Sequence, residues 1–287
     1  MSDAFWIILT GTLMAASCGL LGVFLVLRNM AMLGDAIAHA VLPGIVVAFL
    51  LTDSREAWWM LLGAAAVGVV ATVLIELLYR SARLQTDAAI GITFTWLFAL
   101  GVILISLYAG SVDLDQECVL YGEIAYVPLD TWVTGSGYEL GPRSVWLLGA
   151  MLVLILALLG FGYRMLKINT FDPAYASAIG ISSGLWHYVL MSAVSMTTVV
   201  SFEVVGAILV VAFLIVPPAT AYLLTRRLSW MLALTVLLGF ASAVLGYALA
   251  VWVNGSIAGA MSVVAGLFFV LALLFSPTEG YVWKRLR

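Results

Sequence analysis

Nine runs of roughly twenty apolar residues, separated by more polar connections, leave this 287-residue chain few ways to fold. A run of that length matches a helix crossing a hydrocarbon core about 30 Å thick, whereas a membrane β-barrel would need short segments of alternating polarity. The runs fall at about 5–27, 33–51, 58–79, 88–109, 145–163, 186–200, 204–225, 230–253 and 257–275. Only 9% of residues are charged and 64% are hydrophobic, with a mean hydropathy of +1.17, so the chain lacks the charge a soluble domain of this size needs for its surface. The fold class read from the sequence is therefore all-α, a polytopic membrane protein of about nine spans. The sixth run is short, and Ser201, Phe202 and Glu203 barely form a connection, so eight spans plus a re-entrant piece is the alternative count. The first run is too long for a signal-peptide core and lacks a basic start, and it is expected to remain as a helix.

Inside the second run lies GDAIAHAVLPG, residues 34–44. Asp35 and His39 stand four residues apart, one helical turn, and so share a face. An ionised carboxylate near the middle of a membrane helix costs about 2.5–3.5 kcal/mol on insertion scales, so such residues usually face a cavity or a partner. A carboxylate and an imidazole so placed can hold a divalent cation, although they supply only half a coordination shell. The competing structural reading makes Asp35 a helix cap and His39 a core histidine satisfied by a neighbouring helix. Pro43 and Gly44 favour the ion-site reading, because proline opens a helix and broken helices at membrane depth often line ion sites.

Arginine and lysine favour cytoplasmic loops. With nine spans and the amino terminus outside, Arg28, Arg80, Arg83, Arg164, Lys167, Arg226, Arg227, Lys284, Arg285 and Arg287 fall in the cytoplasm and only Arg55 and Arg143 outside, which also puts the carboxyl terminus inside. The long external connection, 110–144, carries Asp113, Asp115, Glu117, Glu123, Asp130 and Glu139, an acidic stretch able to attract cations or dock a partner, or simply a solvated loop. The long cytoplasmic connection, 164–185, contains FDPAYASAIG. Asp172 suits the N-cap, Pro173 the first helical position and Gly180 the position past the C-cap, which predicts a two-turn helix too short to span. A compact helix there is what a membrane subunit needs to receive force from a soluble motor; an ordinary surface helix is the plainer alternative.

Enzymatic chemistry finds little support. Residues 180–184 match GxSxG with His187 nearby, yet a nucleophile elbow needs a strand before the serine, and a helix precedes this one. His39 and His187 are the only histidines, so no HExxH helix exists, and no GxxxxGK[ST] phosphate loop is present. Cys18 and Cys118 show no metal-type spacing and suggest no disulfide framework. A gradient-driven secondary carrier or channel is the alternative transporter class, but the acid-and-histidine motif has no second copy such as an internal repeat would supply.

GDAIAHAVLPG, LYGEIAYV in the external connection, FDPAYASAIGI and VGAILVVAFLIVPPATAYLLT, in that order and spacing, resemble the membrane subunits of the ABC-3 family, the permeases of bacterial manganese, zinc and iron importers. The resemblance covers nearly the whole chain. It implies a single transmembrane permease domain over 1–287 with a type II importer-like arrangement in the bacterial cytoplasmic (inner) membrane, and a coupling-helix region at 165–185. It places Asp35 and His39 on the metal path, and a second permease copy, identical or related, would complete a set of two aspartates and two histidines. It further implies a cytoplasmic ABC ATPase that binds the ATP, contacted through Asp172, Pro173, Ala174, Ala176, Ala178 and Gly180, and an extracytoplasmic metal-binding protein. Membrane lipid surrounds the complex, no nucleic acid partner is expected, and no cofactor is expected to stay bound. Transported Mn²⁺ is the expected cargo, with Zn²⁺ or Fe²⁺ as alternatives, because proline at position 43 resembles the manganese and iron branch. Glu203 departs from the neutral residue of many relatives and is either a secondary cation contact or an interfacial acid. Pro43, Pro217 and Pro218 are expected to kink their helices.

Overall fold

A computed structural model describes residues 3–52, 57–81, 84–108, 124–133 and 139–276. Eleven α-helices occur among these residues: α1 Asp3–Leu27, α2 Leu33–Ala40, α3 Leu42–Thr52, α4 Ala57–Ser81, α5 Thr86–Tyr108, α6 Arg143–Phe171, α7 Pro173–Ala178, α8 Ser183–Val205, α9 Ala207–Leu224, α10 Leu228–Val253 and α11 Ile257–Phe275. With α2 and α3 counted as one interrupted span and α7 set aside, nine are long and apolar enough to cross a membrane, as expected. A 3₁₀ turn, Ile124–Leu129, and a small antiparallel pair, β1 Thr131–Val133 with β2 Glu139–Pro142, are the non-α elements described. The acids Asp113, Asp115, Glu117 and Glu123, along with Cys118, lie outside the described residues.

Two boundaries differ from the sequence reading, for clear physical reasons. The sixth span is not short: α8 runs 23 residues, straight through Ser201, Phe202 and Glu203, and stops at Gly206, whose φ of +80° is a conformation that only glycine adopts without strain. The fifth span continues past 163, because nothing in RMLKINTF interrupts the hydrogen-bond ladder before Asp172. At 29 residues α6 is about 43 Å long, more than a hydrocarbon core requires, so at least one end stands clear of it. Asparagines end two other helices in the left-handed conformation they tolerate, Asn29 at φ 57° after α1 and Asn254 at φ 53° after α10.

The chain divides into two compact units, with boundaries after residues 29 and 116 and inside α6 and α8. In the unit comprising 1–29, 117–161 and 201–287, α1 packs against α9 and α10, and α11 packs against both of these. Helix α9 continues through Pro217 and Pro218, which cannot donate to the carbonyls of Phe213 and Leu214. Those carbonyls lie against Gly19 and Gly22 of α1, where a Cβ at Gly22 would strike the Leu214 backbone and sit 3.0 Å from Pro218 Cγ. The two glycines let the helices close over the proline segment. Buried Cys18 donates its thiol to Ser201 Oγ at 3.5 Å and forms no disulfide.

In the unit comprising 30–116 and 162–200, α3 packs on α4 and α5. Gly44 and Gly63 meet backbone to backbone, so a Cβ on either would collide with the other. Ala40, Ala71 and Leu97 close a small core between α2, α4 and α5, with Val67, Leu74 and Phe94 around it. Gly22→Val and Gly63→Val should each lower stability by about 1–3 kcal/mol through overpacking. Thermal unfolding in detergent checks this against Gly91→Ala, which has open space around it.

Candidate metal centre

Helix α2 has two contrasting faces. Leu33, Ala36, Ile37 and Ala40 are buried, whereas the side chains of Asp35 and His39 are 41% and 33% exposed. The hydrophobic residues therefore anchor the helix and turn the acid and the imidazole outward. Asp35 sits in the first turn, where the helix dipole favours negative charge, and the N-cap is Met32, so Asp35 does not cap this helix by its side chain. His39 Nε2 lies 3.5 Å from Asp35 Oδ1, so the two functional groups converge on one point. From α5, Phe98 meets the imidazole edge-on with ring centroids 5.9 Å apart, and Phe94 lies at 6.3 Å. These apolar walls fix the ring and lower the local dielectric around the pair.

The helix stops at Val41, two residues beyond His39, and α3 starts afresh at Leu42. Pro43 thus stands in the first turn of α3, where its missing N–H leaves no ladder bond unmade, rather than in the interior of a bent helix. Among the described residues no group of three or more His, Cys, Asp or Glu side chains is placed to hold a metal ion. The Asp35 and His39 pair alone supplies one oxygen and one nitrogen donor. Glu203 belongs to the other unit, where it lies exposed in the last turn of α8 with Arg143 and Asp130 as the charges acting on it.

The cytoplasmic-type connection forms as its sequence predicts. Asp172 accepts the Tyr175 N–H at 2.9 Å as N-cap, with Pro173 in the first turn. At the other end Gly180 takes φ +84°, its N–H reaches the Ser177 carbonyl at 3.1 Å, and the Ile181 N–H reaches the Ala176 carbonyl at 2.9 Å. This pair of bonds is a Schellman closure. Ala174 and Ala178 are exposed on α7, but Ala176 is fully buried, so of the three alanines only Ala174 and Ala178 present themselves outward. The serines of GxSxG are structural: Ser182 Oγ accepts from the Leu185 N–H, and Ser183 Oγ donates to Asn169 Oδ1 at 2.5 Å.

One pair of polar residues was missed in the sequence. Glu76 on α4 and His187 on α8 approach to 3.1 Å between Oε2 and Nε2, with side chains only 11% and 16% exposed. The signal was available, since Glu76 is an acid inside an apolar span, the same criterion that singled out Asp35.

The model of the ABC 3 transport family matches residues 2–276. The chain belongs to the ABC 3 transport family. It is a multi-pass membrane permease subunit of an ABC transporter, and hydrolysis of ATP belongs to a separate subunit. It is 54% identical, over all of this chain and 97% of that protein, to the manganese transport system membrane protein MntD of Bacillus subtilis (strain 168). Identity to the zinc transport system membrane protein TroD of Treponema pallidum (strain Nichols) is 45% over 96% of this chain and 75% of that protein. Among solved structures, PsaBC from Streptococcus pneumoniae in complex with Fab matches with a TM-score of 0.79 and 30% identity, covering 99% of this chain and 96% of that one.

Because Asp35 lies on the outward face of α2, Asp35→Asn should shift stability by no more than about 0.5 kcal/mol, whereas His39→Ala also removes the ring contacts with Phe94 and Phe98 and should cost about 0.5–1.5 kcal/mol. Thermal melting of the purified variants and their level in the membrane check this.

Proposed function

We propose that the chain imports a divalent transition metal, manganese first, across the bacterial cytoplasmic membrane, with its amino terminus outside and its carboxyl terminus inside. The observation that carries this reading is the convergence of Asp35 and His39 to 3.5 Å on the outward face of α2. One chain offers two donors; a second permease copy related by a two-fold axis adds the same two, making a mixed oxygen and nitrogen set suited to a first-row divalent cation. The manganese designation of the relative at 54% identity supports that metal, and the zinc designation of the one at 45% makes zinc the ion to test against it.

Affinity alone favours zinc at such a site, and tight four-ligand binding opposes release. Manganese accepts an octahedral shell, which two aspartates, two histidines and waters can complete and relinquish. Uptake of radiolabelled manganese and zinc into proteoliposomes carrying the full complex with ATP and the external metal-binding protein tests this. Manganese should accumulate, and zinc should compete while accumulating little; equal accumulation of zinc assigns a zinc or broad-range importer. Asp35→Asn or His39→Ala should cut manganese uptake by about 100-fold or more, since even an outer-shell loss costs roughly 10–100-fold at metal sites. Normal uptake by both variants rules the site out.

In this reading α7 is where the ATPase subunit docks, supported by its double capping and by the outward Ala174 and Ala178. Asp172→Ala should cost the helix about 0.5–2 kcal/mol. Ala174→Glu should weaken co-purification of the ATPase while metal binding at Asp35 and His39 is retained. Cross-linking from single cysteines on α7 that never captures the ATPase refutes the docking role. A gradient-driven carrier, in contrast, would move metal without ATP.

A further inference from the structure

Four-residue steps, taken in opposite directions along α4 and α8, bring matching residues together. Glu76 meets His187 at 3.1 Å, and eight residues away along each helix Gly68 meets Ser195, whose hydroxyl occupies the space a Cβ on Gly68 would need. Midway between them stand Thr72 and Met191, both buried. Two contacts with the same offset fix the register of an antiparallel seam. Gly68 lets the helices touch, and the carboxylate–imidazole pair closes the end of the seam nearer to α7.

Each side of the seam leads somewhere. Four residues before His187, and so on the same face of α8, Ser183 is bound to Asn169 at the end of α6 by two hydrogen bonds: Ser183 Oγ to Asn169 Oδ1 at 2.5 Å and Asn169 Nδ2 to the Ser183 carbonyl at 3.2 Å. These bonds close the base of the connection that carries α7, so a displacement of α7 is delivered to the first turn of α8. On the other side, Ile37 of α2 places its Cγ2 3.5 Å from where a Cβ on Gly68 would sit, so α2 rests on the seam. Ile37 lies midway between Asp35 and His39 in sequence and about 200° around the helix from each. The seam thus supports α2 from directly behind its acid and imidazole.

We propose that Glu76 and His187 are positioning residues that bind α4 to α8 so that movement at α7 is passed to α2 and changes how Asp35 and His39 are presented. This rests on the reading of α7 as the ATPase dock and of Asp35 and His39 as metal donors. A buried pair across two helices ties them together only while both of its members are present. Its loss therefore lets α8 move without α4.

The test uses the full complex of permeases and ATPase in proteoliposomes, measuring manganese uptake and ATP hydrolysis together. Glu76→Ala and His187→Ala should each raise the ATP hydrolysed per manganese imported by about ten-fold or more, with ATPase co-purification and equilibrium Mn²⁺ binding to the purified complex changed less than about two-fold. The exchanged pair, Glu76→His with His187→Glu, should restore the ratio to within about three-fold of the parental complex. An unchanged ratio in both single variants overturns the proposal, as does a fall in Mn²⁺ affinity that accounts for the lost uptake. Loss of either single variant from the membrane that the exchanged pair does not repair also overturns it, reducing the pair to a folding contact. Cross-linking α7 to the ATPase in the parental complex separates the two readings. Its failure removes the docking assignment, whereas its success with an unchanged ratio removes only the role of Glu76 and His187.

Discussion

Within hydrocarbon every backbone N–H and C=O has to find its partner inside the protein, and the arrangement of this chain follows from where that requirement is met or locally relaxed. Long uninterrupted helices meet it outright. Interruptions occur where particular residues make them tolerable: Gly206 at φ 80° and ψ 168°, a region open to glycine, Asn29 and Asn254 at positive φ, and Val41 two residues ahead of Pro43, which stands in the first turn of the next helix. The carbonyls of Phe213 and Leu214, which two consecutive prolines leave without ladder donors, are covered by the glycine face of α1. Small residues on one helix thus compensate for a defect in another, and the weak C–H···O contacts that such close approach permits add to the packing.

Much of this was legible in the amino-acid order. Apolar run length specifies spanning helices whatever their partners, and cap chemistry is local, which is why Asp172, Pro173 and Gly180 bounded α7 correctly. Asp35 and His39 could be paired from spacing because a helical turn is a fixed length. The end of α8 was misplaced because Ser201, Phe202 and Glu203 look like a polar break, whereas the backbone needed the conformation of Gly206 to stop. Glu76 and His187 are 111 positions apart in sequence, so no local spacing brings them together. Only the antiparallel register of α4 and α8 does so. The burial of Ala176 was likewise invisible, since three alanines at alternate positions of a short helix look equivalent until their neighbours are known.

The two histidines form an instructive contrast. Each lies beside a carboxylate, but His39 and Asp35 share one short helix and keep a third or more of their side-chain surface open, while His187 and Glu76 come from different helices and are largely enclosed. An intrahelical pair keeps its geometry when the helix moves as a body. A pair across helices holds only while both helices move together. The first arrangement suits a group that has to bind and release; the second suits one that reports whether its neighbours have stayed in step.

Six residues are far too few for a helix to persist alone, since nucleation is unfavourable and isolated helices need roughly 12–15 residues even with good formers. Helix α7 exists because the Asp172 carboxylate closes its front and the Gly180 turn closes its back. In the proposed docking role, a partner arriving at its exposed alanines would find a shape already made, with little conformational entropy left to lose on contact. Such a surface can be engaged and released repeatedly without refolding in each round, a property suited to a joint that works in cycles.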